Sequence, residues 1–91
     1  PVELKVGSVA LNSRSVDISL GGAAVRNPQK RFNAGQQIRC SFSFAGKDPV
    51  VIPAIAVRTS KNRTILHLRF EPVEESTRHR LFRSIMAAVS K

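Results

Sequence analysis

Between Val2 and Phe70 the chain places an apolar residue at every second position in run after run, and beyond Pro72 it changes period. Ile38, Cys40, Phe42 and Phe44 alternate with Arg39, Ser41 and Ser43, and Val2, Leu4 and Val6 alternate with Glu3 and Lys5. Side chains of an extended strand point alternately to the two faces of a sheet, so each such run builds one apolar and one polar face. Leu66, Leu68 and Phe70 likewise face one way, and His67 and Arg69 the other. A second strand is expected from about Ser13 to Leu20, with Val16, Ile18 and Leu20 on one face and Asp17 and Ser19 on the other. A short third runs from Ala23 to Arg26, and Val50 to Val57 is a β-branched run in which Pro53 implies a bulge or an edge position. Leu81, Phe82, Ile85, Met86 and Val89 instead recur at helical spacing.

The connections "NPQKRFNAGQQ", "AGKDP" and "RTSKNR" hold the residues of turns and loops. They are too short for the crossovers that parallel strands need. The expected architecture is therefore mainly β: a six-stranded antiparallel barrel over about residues 1–72, with a C-terminal amphipathic helix over about residues 74–90 packed on it. Glu74 and Glu75 stand at the start of that helix, where its dipole favours negative charge. Ninety-one residues suffice for a single core. Because strand-like sequence begins at once after Pro1, without Met, residues 1–91 read as a single domain cut from a longer protein. No apolar run reaches membrane-spanning length, and no basic-then-apolar leader marks a secretion signal. The one cysteine, Cys40, shares parity with Ile38, Phe42 and Phe44 and reads as a small buried hydrophobe.

Fifteen Lys and Arg oppose six acids, a net charge of +9. Between Leu4 and Phe70 the only acids are Asp17 and Asp48, so the strand-rich part should attract anions. Basic residues gather at Arg26, Lys30 and Arg31 and again at Arg58, Lys61 and Arg63. A barrel with basic loops can bind single-stranded nucleic acid, but such proteins also present aromatics for base stacking. Here only Phe32, in the loop "QKRFN", is expected to be exposed, which makes nucleic acid a weak third reading. Catalysis has less support still. His67 and His79 lie far apart, in a strand and in the helix, without a neighbouring nucleophile or a carboxylate cluster. Ser19 lacks the first glycine of a nucleophile elbow, and no glycine-rich loop precedes a helix.

The stretch "VDISLGG" carries the remaining chemistry. Asp17 and Ser19 share the polar face of a strand within a barrel short of acids. An exposed carboxylate accepts two hydrogen bonds from a donor edge such as guanine's ring N–H and exocyclic amine, and a hydroxyl stands beside it. Gly21 and Gly22 are expected to let the chain reverse, and Gly22 to let a ligand approach the backbone.

Asp17-Ile18-Ser19-Leu20-Gly21-Gly22 resembles the [Asp/Asn]-x-Ser-x-x-Gly signature of PilZ domains, the bacterial cyclic di-GMP receptor domains. The order of "PVELKV", "SVDISLGGAAV", "IRCSFSF", "VIPAIAVRT" and "ILHLRFEPV" before a terminal helix is similar to theirs as well. The resemblance implies a PilZ-type six-stranded barrel, no enzymatic activity, no cofactor, and cyclic di-GMP as ligand. It implies contacts from Asp17 and Ser19 to guanine and close backbone approach at Gly22, with Gly21 beside it; Arg14, which matches no family motif, is a further candidate to hold a phosphate. The family's second element, Arg-x-x-x-Arg, precedes the first strand, and this chain has none ahead of Val2. The family's usual glycine in the "ILHLRF" strand is replaced by about His67. The partners so implied are cyclic di-GMP and a neighbouring domain or partner effector, in the bacterial cytoplasm or on the cytosolic side of a membrane protein. A homodimer through the C-terminal helix is a further expectation. The alternative within the family is a PilZ-like interaction domain that does not bind the nucleotide.

Overall fold

The computed structural model describes residues 2–44 and 48–89, the last two by their backbone alone. Residues 45–47 of the turn expected at 45–49, and the place of Val89 on the helix's apolar face, lie outside what is described. Seven strands, all paired antiparallel, form one sheet in the order β2-β1-β5-β6-β7-β4-β3. They are β1 (Val2–Val6), β2 (Val9–Ser13), β3 (Ser15–Ile18), β4 (Gly22–Arg26), β5 (Gln37–Phe42), β6 (Val50–Thr59) and β7 (Ile65–Phe70), followed by α1 (Glu75–Val89). The expected antiparallel β architecture with a terminal helix is present, with seven strands instead of six.

The difference lies at the second strand. Val6 pairs with Val9 across a two-residue turn, in which Gly7 takes φ 58, a left-handed conformation that glycine adopts without strain. The chain then runs as β2 along β1, passes Arg14, and continues as β3 along β4. The two outer strands of the sheet are thus consecutive in sequence, and the sheet curls so that one stretch of chain serves both edges. β2 and β3 each pair on one side only, so the curled sheet keeps two edges.

Alternation works as expected on the inner face. Leu4, Val25, Ile38, Cys40, Phe42, Ala54, Ala56, Leu66 and Leu68 are buried together. Phe42 and Phe70 meet edge to face, with ring centroids 5.7 Å apart. Leu81 of α1 is 1% exposed and joins Val50 and Ile52, with Ile85 half-buried beside them, so the helix extends the same core. Phe82 and Met86 were grouped with these by spacing, yet both face outward. Pro53 marks neither an edge nor a bulge. β6 is central in the sheet, and its irregularity falls between Ala56 and Arg58. The missing N–H is tolerated because the ladder with β7 starts only at Ala54.

The loop after β4 is pinned from within. Asn27 is buried, its amide donating to the Phe32 carbonyl at 2.9 Å and its oxygen accepting from the Phe32 N–H at 3.0 Å. These bonds fold Phe32 into the core at 3% exposure, which corrects the expectation that it is exposed. The basic hairpin between β6 and β7 comes to the same place: Arg63 donates to the Lys30 carbonyl at 3.2 Å and to the side-chain oxygen of Asn33.

Candidate functional site

Asp17 reaches the outer face through a β-bulge. Ser15 pairs with Val25, but Asp17 pairs with Ala24, leaving Val16 as an extra residue. Directly opposed residues of an antiparallel pair share a face. Ser15 therefore has the parity of the buried Val25, and Asp17 that of the outward Ala24. Simple alternation would have put Ser15 and Asp17 on one side. Val16, expected in the core, is 57% exposed, and Leu20 is also exposed; only Ile18 of the three packs against the interior. The Asp17 carboxylate is exposed and accepts no hydrogen bond from the described residues.

The turn that follows is tight. The Ser19 N–H donates to the Gly22 carbonyl at 2.9 Å, and the Ser19 hydroxyl contacts the same oxygen at 3.3 Å. The Phe70 N–H donates to the Gly21 carbonyl at 2.9 Å, tying the turn to the end of β7. Neither Gly21 nor Gly22 has a positive φ, so the reversal does not depend on left-handed glycine geometry. A Cβ on Gly22 would lie 2.2 Å from the Leu68 carbonyl oxygen, whereas one on Gly21 would meet nothing within 4 Å. Gly22 is thus required by the close approach of β7.

Register extends the site across the sheet. Asp17 opposes Ala24, Ala24 opposes His67, and His67 opposes Arg58, in one row over β3, β4, β7 and β6. In the next row Gly22 opposes Arg69, and Arg69 opposes Ile55. Strands lie about 4.8 Å apart, so Asp17 faces His67 across roughly 10 Å. The strand between them, β4, contributes only the small residues Gly22 and Ala24 to the outer surface there. The result is a low floor with an acid and a hydroxyl on one side and His67, Arg69 and Arg58 on the other. Sequence reasoning assigned no role on this face to Arg69, because only strand register places it beside Gly22. Arg14 stands at the passage from β2 to β3, its carbonyl accepting from the Arg26 N–H at 2.9 Å. Arg14 and Arg26 are therefore neighbours on the rim.

The family model described as PilZ domain matches residues 1–87. The chain belongs to the PilZ domain family. PilZ domains are binding and regulatory domains for cyclic di-GMP, and the β fold with a terminal helix agrees with that membership. No curated protein matches this PilZ domain.

Other chemistry gains no support. Among the described residues no group of His, Cys, Asp and Glu could hold a metal ion, and no helix is long and apolar enough to cross a membrane. Cys40 is buried, and burial pushes its thiol from the ordinary 9.0 up to about 12, so at neutral pH it is protonated and a poor nucleophile. With Phe32 in the core, the basic loops lose the aromatic expected to stack on bases.

Proposed function

We propose that this PilZ domain is a cytoplasmic regulatory domain that binds cyclic di-GMP on the outer face over β3, β4 and β7. It relays the messenger's level to an attached or partner effector, in a process such as polysaccharide synthesis or motility. Asp17 and Ser19 receive a guanine edge, Gly21 and Gly22 keep the floor low, and Arg14 supports a phosphate. The observation that carries this reading is the bulge at Val16. It presents an uncompensated carboxylate beside a floor of two small residues, in a chain whose other strands hold few acids. Guanidinium groups on the same face suit the phosphates of a doubly anionic ligand.

Isothermal titration calorimetry with cyclic di-GMP tests the reading. Asp17→Ala removes hydrogen bonds to a charged group, which are worth about 1.5–3 kcal/mol, so affinity should fall by at least about ten-fold. Because the family's arginine pair precedes the first strand, the decisive titration uses a chain extended upstream of Pro1: absence of heat there at high ligand concentration, or equal affinity of Asp17→Ala, would refute it.

A further inference from the structure

Asp17 is the only acid on β3, β4, β7 and β6, against the cations Arg26, Arg58, Arg69 and His67. Arg69 is exposed, and its guanidinium makes no hydrogen bond or ion pair with any described residue, Glu71 two residues on included. Its cross-strand neighbours are Gly22 on one side and the half-buried Ile55 on the other. Gly22 carries no side chain and is bonded to Ser19, so the open ground beside the guanidinium lies toward the Ser19 hydroxyl. In the next row the half-buried His67 stands in the same relation to Ala24 and Asp17. The two rows together make a shallow slot. Asp17 and Ser19 form one wall, His67 and Arg69 the other, and Gly22 and Ala24 the floor.

We propose that Arg69 sets the base specificity of this slot, reading the acceptor edge of guanine while Asp17 and Ser19 read its donor edge. This role rests on the nucleotide reading above and adds a contact that reading leaves open. Guanine carries its ring N–H and exocyclic amine on one edge and the acceptors O6 and N7 on the edge beside it. A guanidinium donating to O6 and N7 together makes a base-specific pair. A carboxylate and a guanidinium that read both edges therefore stand diagonally across the base. A rise of about 3.4 Å per residue and a strand spacing of about 4.8 Å put Arg69, two strands over and one row along, roughly 12 Å from Asp17 between Cα atoms. That span accommodates a base with a hydrogen bond of about 2.9 Å at each end. Adenine fails at both walls. Its N6 amine would meet guanidinium donors, and its ring N1 would meet the carboxylate, acceptor against acceptor. Lysine cannot stand in for Arg69, because a point charge lacks the planar fork. Arg58, one strand beyond His67, lies outside the slot and is left for a phosphate.

Calorimetry with cyclic di-GMP and cyclic di-AMP on the chain extended upstream of Pro1 tests this, with Arg69→Lys, Arg58→Ala and Ala24→Leu as variants. Arg69 and Arg58 are exposed and Ala24 is half-buried, and thermal melts verify that each variant folds. The wild type should prefer cyclic di-GMP, and Arg69→Lys, which keeps the charge, should cut that preference about ten-fold or more. Ala24→Leu fills the floor and should weaken cyclic di-GMP by a similar factor. Arg58→Ala should weaken both ligands and leave their ratio unchanged. Binding that requires Asp17 but keeps its preference in Arg69→Lys, or that Ala24→Leu leaves unchanged, would overturn the slot and leave the nucleotide reading standing. Equal wild-type affinity for the two dinucleotides would do the same. A preference lost as much in Arg58→Ala as in Arg69→Lys would assign the selection to the charge of the face and overturn the role of the fork. No heat with either ligand would overturn both readings.

Discussion

Asn27 shows how much a single polar side chain can hold when both of its functional groups are used. It is 5% exposed and spans five residues of loop, satisfying the backbone N–H and carbonyl of Phe32 at once. Removing the amide leaves two buried backbone groups without partners, each costing about 1–3 kcal/mol. Phe32 also loses the constraint that keeps it in the core. Asn27→Ala should therefore lower the unfolding free energy by about 2–4 kcal/mol, read as a shift in the urea midpoint at unchanged slope. Asn27→Asp keeps an acceptor for the Phe32 N–H but offers no donor to its carbonyl, so it should destabilise as well. If either variant melts with the wild type, the loop is held by other contacts. The sequence "RNPQKRFN" shows the turn residues of this loop but not that Asn27 closes on Phe32. For that reason the aromatic was expected to be exposed.

At the level of elements, the inner faces of β1, β5 and β7 were legible from alternation, because a core accepts apolar residues of one parity whatever the detailed pairing, whereas β6 reads as an unbroken apolar run whose buried parity only the structure shows. The second strand was less so. "VALNSRS" has no clean alternation, and its residues along β2 are exposed or half-buried, as suits an outer strand. Gly7-Ser8 between two valines was the available hairpin signal. A bulge shifts parity without any mark in composition, so Val16 was placed inside, and Leu20 was placed there because the strand ends at Ile18, sooner than the alternation suggests. The site inherits the same limit: Asp17 and Ser19 are visible as residue types, while Arg69 joins them only through register. Strand pairing also separates two glycines that look alike in sequence. Gly22→Ala drives a Cβ to 2.2 Å from the Leu68 carbonyl oxygen, and the β4–β7 ladder must part to accept it. The cost should be about 1–3 kcal/mol, the range for overpacking. Gly21→Ala meets nothing and should stay within about 0.5 kcal/mol of wild type. Thermal melts of the pair decide it: equal effects would mean that Gly22 is not held by β7.

For the whole molecule the governing quantity is the charge imbalance. Three of the six acids lie between Glu71 and Glu75, which leaves the rest of the chain with few partners for its cations. The molecule measures 32 × 27 × 21 Å, so at about 0.01 M salt, where the Debye length is about 30 Å, nearly every cation senses the others. At about 0.15 M the length falls to about 8 Å and only neighbours interact. Unfolding separates these charges, so their repulsion destabilises the compact state most at low salt. The melting temperature should therefore rise with sodium chloride over this range. A domain of this size gains about 4–8 °C for each kcal/mol of repulsion relieved. Lys61→Glu, an exposed substitution in the hairpin between β6 and β7, should raise the low-salt melting temperature and flatten its salt dependence. A melting temperature that falls with salt would mean that attractive pairs outweigh repulsion in the folded chain. The same field acts on an approaching anion with opposite sign. Any doubly anionic ligand held on the face near Asp17 should bind more tightly under the low-salt conditions that make the empty domain least stable. Titrations at the two ionic strengths, alongside the melts, would show the two trends opposed.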